Sequence, residues 1–470
     1  MSGRILIVAL LTAGCAGVIP QQKDEAFKFA VEAVQDEDYA LGAHAAWQFV
    51  DASDPDDPRY DRGLRMVAGA SEGLGLYYAA SMIYRQIAQI RRNMELVPEA
   101  IKGLERIIDV GVYDEDILVT SFLAAEEFGD VPEEVQAFLN YYQGLDLFRR
   151  GKIDWAEERF AKLPPKQLYS AKAEYVRAVY DIAQGDFYSA VKKLEALKEH
   201  PALNDTLSLD VERTLARLAF EEERFSDALD HFENLKKLAP DDPEIILEMA
   251  WTYYYMGDSR KTLGLLIAFD APVHKTYISP ERYLLEALSL RRLCQFGEAR
   301  EAAVRLEKKY ENELLQLSKG TLPEAIPTLR TAAKQRGFSK ANTRFSRRIE
   351  TEISILESMK DKFGKSLYAY LKGLYDRGLV EAKRREEELL RRDIADLTEE
   401  LLSAQEGVRL IVHELGVSML RGRRRPVGVA EKPAVDVPIT GERVFYPFEG
   451  EYWTDELDGL VVIAEDRCID

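Results

Sequence analysis

"RFSDALDHFENLKKLAPDDPE", residues 224–244, sets a small residue, Ala228, among Phe225, Phe232 and Leu235 and stops at Pro240. Apolar side chains three and four residues apart share one face of a helix, and a proline marks where that helix ends. The arrangement recurs on both sides of this stretch. Ala156, Ala190, Ala228, Thr262 and Ala299 form one series of small residues; Gly144, Ala178, Ala216, Ala250 and Ala287 form another, each 12 residues upstream of its counterpart. From pair to pair the steps are 34, 38, 34 and 37 residues. Four residues after the downstream series come Phe160, Leu194, Phe232, Leu266 and Ala303, and three further on come Leu163, Leu197, Leu235, Phe269 and Leu306. Self-similarity at this period is the signature of stacked supersecondary units.

Two helices cross closely only where both present small side chains, and large neighbours then fill the gap to the next pair. "GKIDWAEERFAKLPP" (151–165) and "GDFYSAVKKLEAL" (185–197) are further copies. "AGASEGLGLYYAASMIYRQI" (68–87) repeats the scheme with Ala68, Gly75, Tyr77, Ala80, Tyr84 and Ile87, and "FAVEAVQDEDYALGAHAAWQFVDASDP" (29–55) is an ambiguous copy. These positions resemble the tetratricopeptide repeat (TPR) over roughly residues 25–315. The expectation is an all-α fold: a TPR solenoid of antiparallel helix hairpins. The rival is an unrelated helical bundle whose alanines fall in step by accident. Between about 98 and 140, "PEAIKGLERII" and "DEDILVTSFLAAEEFG" read as paired helices without the repeat signature.

The TPR resemblance implies a concave groove, lined by the first helix of each pair, that holds an extended or helical protein segment. The groove positions are Leu145, Phe148 and Arg149; Val179, Ile182 and Ala183; Arg217, Phe220 and Glu221; Trp251, Tyr254 and Tyr255; Leu288, Arg291 and Arg292. The set is largely apolar and aromatic, so the expected ligand is an apolar or amphipathic segment. "WTYYYMGD" (251–258) is the anchor candidate, since Trp and Tyr dominate binding hot spots. Its alternative is packing of the same aromatics against the chain's own later helices.

Beyond about 341, Ile349, Ile353, Leu356, Phe363, Leu367, Tyr370 and Leu374 form one stripe. Leu390, Ile394, Leu397, Leu401, Ala404, Val408, Ile411 and Leu415 form a second, one residue out of phase with the first. The reading is either two long helices or one broken near Gly373 and Gly378, burying coiled-coil-like seams and capping the last repeat or reaching a partner. "EAKRREEELLRRD" (381–393) reads as a solvated face. After "RGRRRPVG", Pro426, Pro433 and Pro438 end the helix, and the tail is expected to be irregular or to contain a short strand in "GLVVIAED". Its Phe445, Tyr446, Phe448, Tyr452 and Trp453 are too apolar to stay in water and are expected to dock on the body or a partner.

The chain opens with Arg4, about nine apolar residues and then Ala13, Gly14 and Cys15, the layout of a secretory signal whose apolar part is too short to span a bilayer. "LTAGC" resembles a bacterial lipobox, which implies acylation of Cys15; the alternative is a buried N-terminal helix with a free thiol. Ala16, where an Asp would mean inner-membrane retention, points to the outer membrane in that resemblance. The other two cysteines, Cys294 and Cys468, could pair in an oxidising compartment, but two are too few to set a disulfide framework, and the expectation is that they stay unpaired. Domains are accordingly expected at 1–14 (signal peptide), 15–24 (tether), 25–130 (N-terminal TPR-like helices), 131–318 (TPR array), 319–420 (long helical region) and 421–470 (tail).

A formal charge of −19 argues against nucleic acid and against retention on anionic lipid by surface charge. His44, His200, His231, His274 and His413 are scattered without metal-ligand spacing, Asp455, Glu456 and Asp458 lack the pattern of a calcium loop, and no phosphate loop or nucleophile elbow occurs. The expectation is therefore no enzyme, no cofactor, no metal and no small-molecule substrate. The combination of "LTAGC", the repeats and "YPFEGEYWTDELDG" resembles TPR lipoproteins of deltaproteobacterial envelopes, including that of the myxobacterial adventurous gliding-motility machinery. That resemblance implies a scaffold or adaptor, lipid-anchored in the outer membrane and facing the periplasm, with periplasmic or outer-membrane proteins as partners. Two rivals stand beside it: an assembly factor for outer-membrane proteins, and a cell-wall enzyme.

Overall fold

The computed structural model describes residues 22–110, 114–129, 131–240, 242–271, 274, 277–420, 462 and 464–468. Among these the fold is all-α, a TPR-like solenoid of helix hairpins followed by long helices, with no strand. The α-helices, in chain order, are α1 (Lys23–Gln35), α2 (Tyr39–Asp51), α3 (Tyr60–Gly73), α4 (Tyr77–Ile90), α5 (Val97–Asp109), α6 (Ser121–Ala124) and α7 (Glu133–Arg149). There follow α8 (Ile153–Phe160), α9 (Leu168–Ala183), α10 (Phe187–Lys198), α11 (Asp205–Glu221), α12 (Phe225–Leu238), α13 (Pro243–Tyr255) and α14 (Ser259–Ile267). Last come α15 (Glu281–Arg292), α16 (Phe296–Lys309), α17 (Glu311–Ser318), α18 (Pro327–Ala333), α19 (Gly337–Ser358) and α20 (Lys360–Leu420).

One turn, reused, makes the hairpins. Glu37, Gly75, Gly151, Gly185, Glu223, Gly257 and Cys294 all have left-handed backbone, with φ between 54° and 91°. Each lies seven residues after the small residue of its first helix, so the last five repeat the steps of 34, 38, 34 and 37. The residue after each donates its N–H to the carbonyl five positions back, as in Asp38 to Ala33, Leu76 to Ser71, Asp186 to Asp181 and Gln295 to Leu290, at 2.8–2.9 Å. This is the bond of a helix-terminating Schellman turn, which favours glycine because an L side chain in left-handed backbone is strained by about 1–2 kcal/mol. In three hairpins the next residue is an aspartate, Asp38, Asp186 or Asp258, whose carboxylate caps the following helix. The ambiguous copy at 29–55 is thus a hairpin of the same make, α1 with α2.

Every one of the ten small positions is buried, nine of them completely. The large positions that follow them, from Phe160 and Leu163 to Ala303 and Leu306, are at most 7% exposed. Side chains of this kind contribute about 1.5–3 kcal/mol each on full burial, so the repeat positions hold each hairpin against the next.

The chain forms two compact units. The first comprises Met1–Asp146 with Arg344–Arg385. In it α1 to α5 stack in succession, followed by the π-helical turn Asp116–Thr120. Tyr370 stacks on Trp47 at 4.1 Å, and the fully buried Glu352 accepts from the Tyr78 amide (2.9 Å) and the Tyr375 hydroxyl (2.6 Å) while pairing with Arg348. The second unit comprises Leu147–Thr343 with Glu386–Asp470. There α9 to α16 stack in succession, and Leu397, Leu401, Ala404, Val408, Ile411 and Leu415 of α20 close one core with Tyr283, Ala287 and Leu290 of α15 and Leu306 of α16.

Three expectations for the long helices are corrected. The break falls at Gly364 (φ 67°, ψ 173°), not near Gly373 and Gly378. A Cβ at Gly364 would lie 2.6 Å from Nε2 of His44, whose Nδ1 meets the Lys362 carbonyl at 2.8 Å; at Gly378 a Cβ would lie 2.3 Å from the Tyr78 ring, so that glycine serves close packing inside an unbroken helix. The two stripes form one seam through Phe363, Leu367, Leu371, Tyr375, Gly378, Ala382, Glu386, Leu390 and Ile394. Successive four-residue steps absorb the phase shift, leaving Ile353, Tyr370 and Leu374 only half-buried. The run 381–393 is not simply a solvated face: Glu386 is buried and paired with Lys334 (3.1 Å), and the buried Asp393 accepts from the Ser339 amide (2.8 Å).

Candidate partner-binding surface

Five aromatic rings gather in the second unit. Phe220 of α11 meets Tyr255 of α13 edge-on at 5.5 Å, and Phe225, the first residue of α12, stacks on the same tyrosine at 5.9 Å. Tyr255 lies 6.0 Å from Trp251 one turn back, and Trp251 meets Tyr254 at 5.9 Å. The repeat spacing produces this: Phe220 and Tyr254 occupy the same place in successive repeats, four residues after the small position. Tyr255 is 54% exposed and Met256 beside it 47%, which leaves an apolar and aromatic face open to water.

The next hairpin takes part of the set. Arg292 of α15 stands over the Tyr254 ring at 4.0 Å and donates to the Tyr254 carbonyl. The Trp251 indole donates to Glu281 at 3.4 Å. The packing alternative for "WTYYYMGD" therefore holds for Trp251 and Tyr254, which lean on later residues, while Tyr255 stays half-exposed.

Three arginines around the face meet carboxylates. Arg217 pairs with Glu248 (2.6 Å), Arg213 with Asp242 (2.7 Å) and Glu244 (3.3 Å), and Arg336 with Glu400 while standing over Tyr277. Burial pushes the Glu248 and Glu281 carboxyls above their ordinary range, Arg217 opposing it at the first and the Trp251 indole at the second.

Of the sequence-predicted groove residues, Phe220, Trp251, Tyr254, Tyr255 and Arg292 meet in this one cluster, and Arg217 flanks it through Glu248. Phe148 instead packs with Phe160 (6.1 Å) and Tyr180 (5.1 Å), and Arg149 is exposed at the end of α7. Arg291 is tied to Glu414 of α20 (2.8 Å), and Leu288 packs against the core that α20 closes, so the groove beside α15 is filled by the chain itself. Phe225 was not among the groove positions; its signal was position, two residues after the left-handed Glu223, whereas Met256 falls within the anchor stretch just before the left-handed Gly257. Cys15, Phe445, Tyr446, Phe448, Tyr452 and Trp453 lie outside the described residues.

Cys294 and Cys468 are joined in a disulfide, which corrects the expectation of free thiols. Neighbouring bonds bring the tail there: Arg260 donates to the Ala464 carbonyl (2.9 Å), Gln295 to that of Glu465 (2.7 Å), and the Arg467 amide to that of Leu293 (3.0 Å). The described residues of "GLVVIAED", 462 and 464–466, form no strand. A signal was present, because Cys294 fills a turn position held by glycine in four of the other hairpins.

Among the described residues, no helix is long and apolar enough to cross a membrane, and no three His, Cys, Asp or Glu side chains could hold a metal ion. No protein-family model and no curated protein matches the sequence. Among solved structures the chain is similar to the P58(IPK) TPR domain, at 12% identity over 86% of this chain and 99% of that one, with a TM-score of 0.21. It is also similar to the APC/C hetero-tetramer Cut9-Hcn1 (14%, 83% and 80%, TM-score 0.27) and to a circular tandem repeat protein of novel topology (15%, 86% and 91%, TM-score 0.15). At such TM-scores these likenesses carry no argument, and the TPR-like assignment rests on the chain's own turns and buried small positions.

Proposed function

We propose that this protein is an adaptor on the periplasmic side of a bacterial outer membrane, anchored through lipid on Cys15, which binds an apolar or amphipathic segment of an envelope protein on the Phe220, Phe225 and Tyr255 face. The observation that carries the reading is that face: rings from successive repeats, half-exposed at Tyr255 and Met256, with Arg217 beside them paired to Glu248 and Arg292 held on the Tyr254 ring. Aromatic side chains of this kind anchor interfaces because they bury much area at little entropic loss. The Cys294 to Cys468 disulfide supports an oxidising compartment, since such bonds are rare in a reducing cytosol. A motility or other trans-envelope complex is the setting the sequence resemblance suggests. An assembly factor for outer-membrane proteins is the second reading, favoured by the same face if its clients are many and transient.

Crosslinking in cells of the full chain, comparing wild type with a Phe225→Ala, Tyr255→Ala double variant, tests the face. One stoichiometric envelope partner, lost in the variant, supports the adaptor; a ladder of many clients supports the assembly factor. Capture unchanged in the variant removes this surface from the proposal. Palmitate labelling of wild type against Cys15→Ala tests the anchor separately.

A further inference from the structure

A cavity of about 670 Å³ lies within the first unit, lined by α4, the π-helical turn Asp116–Thr120 and residues 374–385 of α20. Its charge runs against that of the chain. Four arginines, Arg85, Arg377, Arg384 and Arg385, line it against two carboxylates, Asp116 and Glu381, in a protein of net charge −19. Glu381 is already held by Arg384 at 2.7 Å. Arg85 donates to the Ile117 carbonyl (3.0 Å) in the π-helical turn and stands 5.1 Å from the Phe122 ring, which fixes its guanidinium at the cavity wall. Among the described residues neither Arg85 nor Arg377 has a carboxylate partner.

A guanidinium keeps its proton in proteins, so burial without a counter-charge is unfavourable until an anion arrives. Arg85 shows the symptom: burial pulls its basicity below the ordinary value, opposed by the Tyr78 hydroxyl and by no carboxylate. The volume falls within the range of cavities that take small organic ligands. We propose that this cavity binds a small ligand bearing two anionic groups, carboxylate or phosphate, which the guanidiniums of Arg85 and Arg377 recognise. Asp116 opposes any such ligand.

Isothermal titration calorimetry of the full chain with pyrophosphate and with citrate, and with inorganic phosphate as the single-anion comparison, tests the site. The expected result is binding of pyrophosphate or citrate that weakens about tenfold or more in Arg377→Gln, the loss of one charge-assisted contact. Arg377 is exposed, so this variant should melt as wild type does. Arg391→Gln, an exposed arginine outside the cavity, should bind as wild type, and Asp116→Asn should bind more tightly. A preference for citrate assigns carboxylate and one for pyrophosphate assigns phosphate. Absence of binding by wild type, equal weakening in Arg391→Gln, undiminished binding by Arg377→Gln, or inorganic phosphate as tight as pyrophosphate would each overturn the proposal.

Discussion

The aromatic face of the second unit and the cavity of the first put the same residue type to opposite use. Around the rings, Arg213, Arg217 and Arg336 each meet a carboxylate, and the surface left over is apolar. In the cavity, Arg85 and Arg377 meet none, and the surface left over is cationic. Helical position does not separate these arginines, since Arg213 and Arg217 lie on α11, Arg85 on α4 and Arg377 on α20, and Arg336 stands just before α19. What separates them is whether the helix packed opposite supplies an acid, and that decides what kind of ligand each surface can take.

The contrast can be broken where it is strongest. Arg336 and Glu400 are both mostly buried, so Arg336→Met strands a buried carboxylate. We expect a loss of about 3–5 kcal/mol in urea unfolding, largely recovered by adding Glu400→Gln. A loss no greater than that of Arg377→Gln would show that pairing does not distinguish the two surfaces. The next effect separates the units by covalent chemistry. The disulfide joins two residues of the second unit that stand 174 positions apart, with Arg344–Arg385 of the first unit inside the loop, and Cys468→Ser should cost about 2–4 kcal/mol. Hydrogen exchange should record faster opening around Gln295 and Leu293 with the Arg85 region unchanged; uniform acceleration would mean the staple is not local.

The smallest effect concerns pH. Burial raises the Glu281 carboxyl in the folded state, so its ionisation opposes folding, and the stability held below the unfolded carboxylate pKa is lost as pH rises through the folded one. Glu281→Gln keeps an acceptor for the Trp251 indole and should be more stable than wild type at neutral pH, with the gain closing as pH falls below the carboxylate range. A gain independent of pH, measured by denaturation at both ends of that range, would remove the charge from the account.

Much of the fold was legible because burial in a hairpin stack has a period. Gly144, Ala178, Ala216, Ala250 and Ala287 and their partners 12 residues on are all buried, and the left-handed turns keep the same steps. The long helices were legible as apolar stripes, but not the place of their break, because Gly364 is required by a histidine 320 positions earlier, His44, and nothing local marks it. Within the candidate surface, the rings on α11 and α13 could be read from their repeat positions. That Arg291 is spent on Glu414, and that Leu288 is covered by α20, could not.

By itself the sequence determined the helices, their pairing into hairpins and the turn that joins each pair, since these depend on residues within about forty positions and on the steric needs of one left-handed residue. Only the tertiary structure decided which charges are paired, that Cys468 returns to Cys294, and that Glu386 and Asp393 turn inward from a run that reads as solvated. The physical reason is range. Small-residue packing repeats along the chain and leaves a periodic trace, whereas an ion pair or a disulfide between distant segments satisfies a single contact and leaves none.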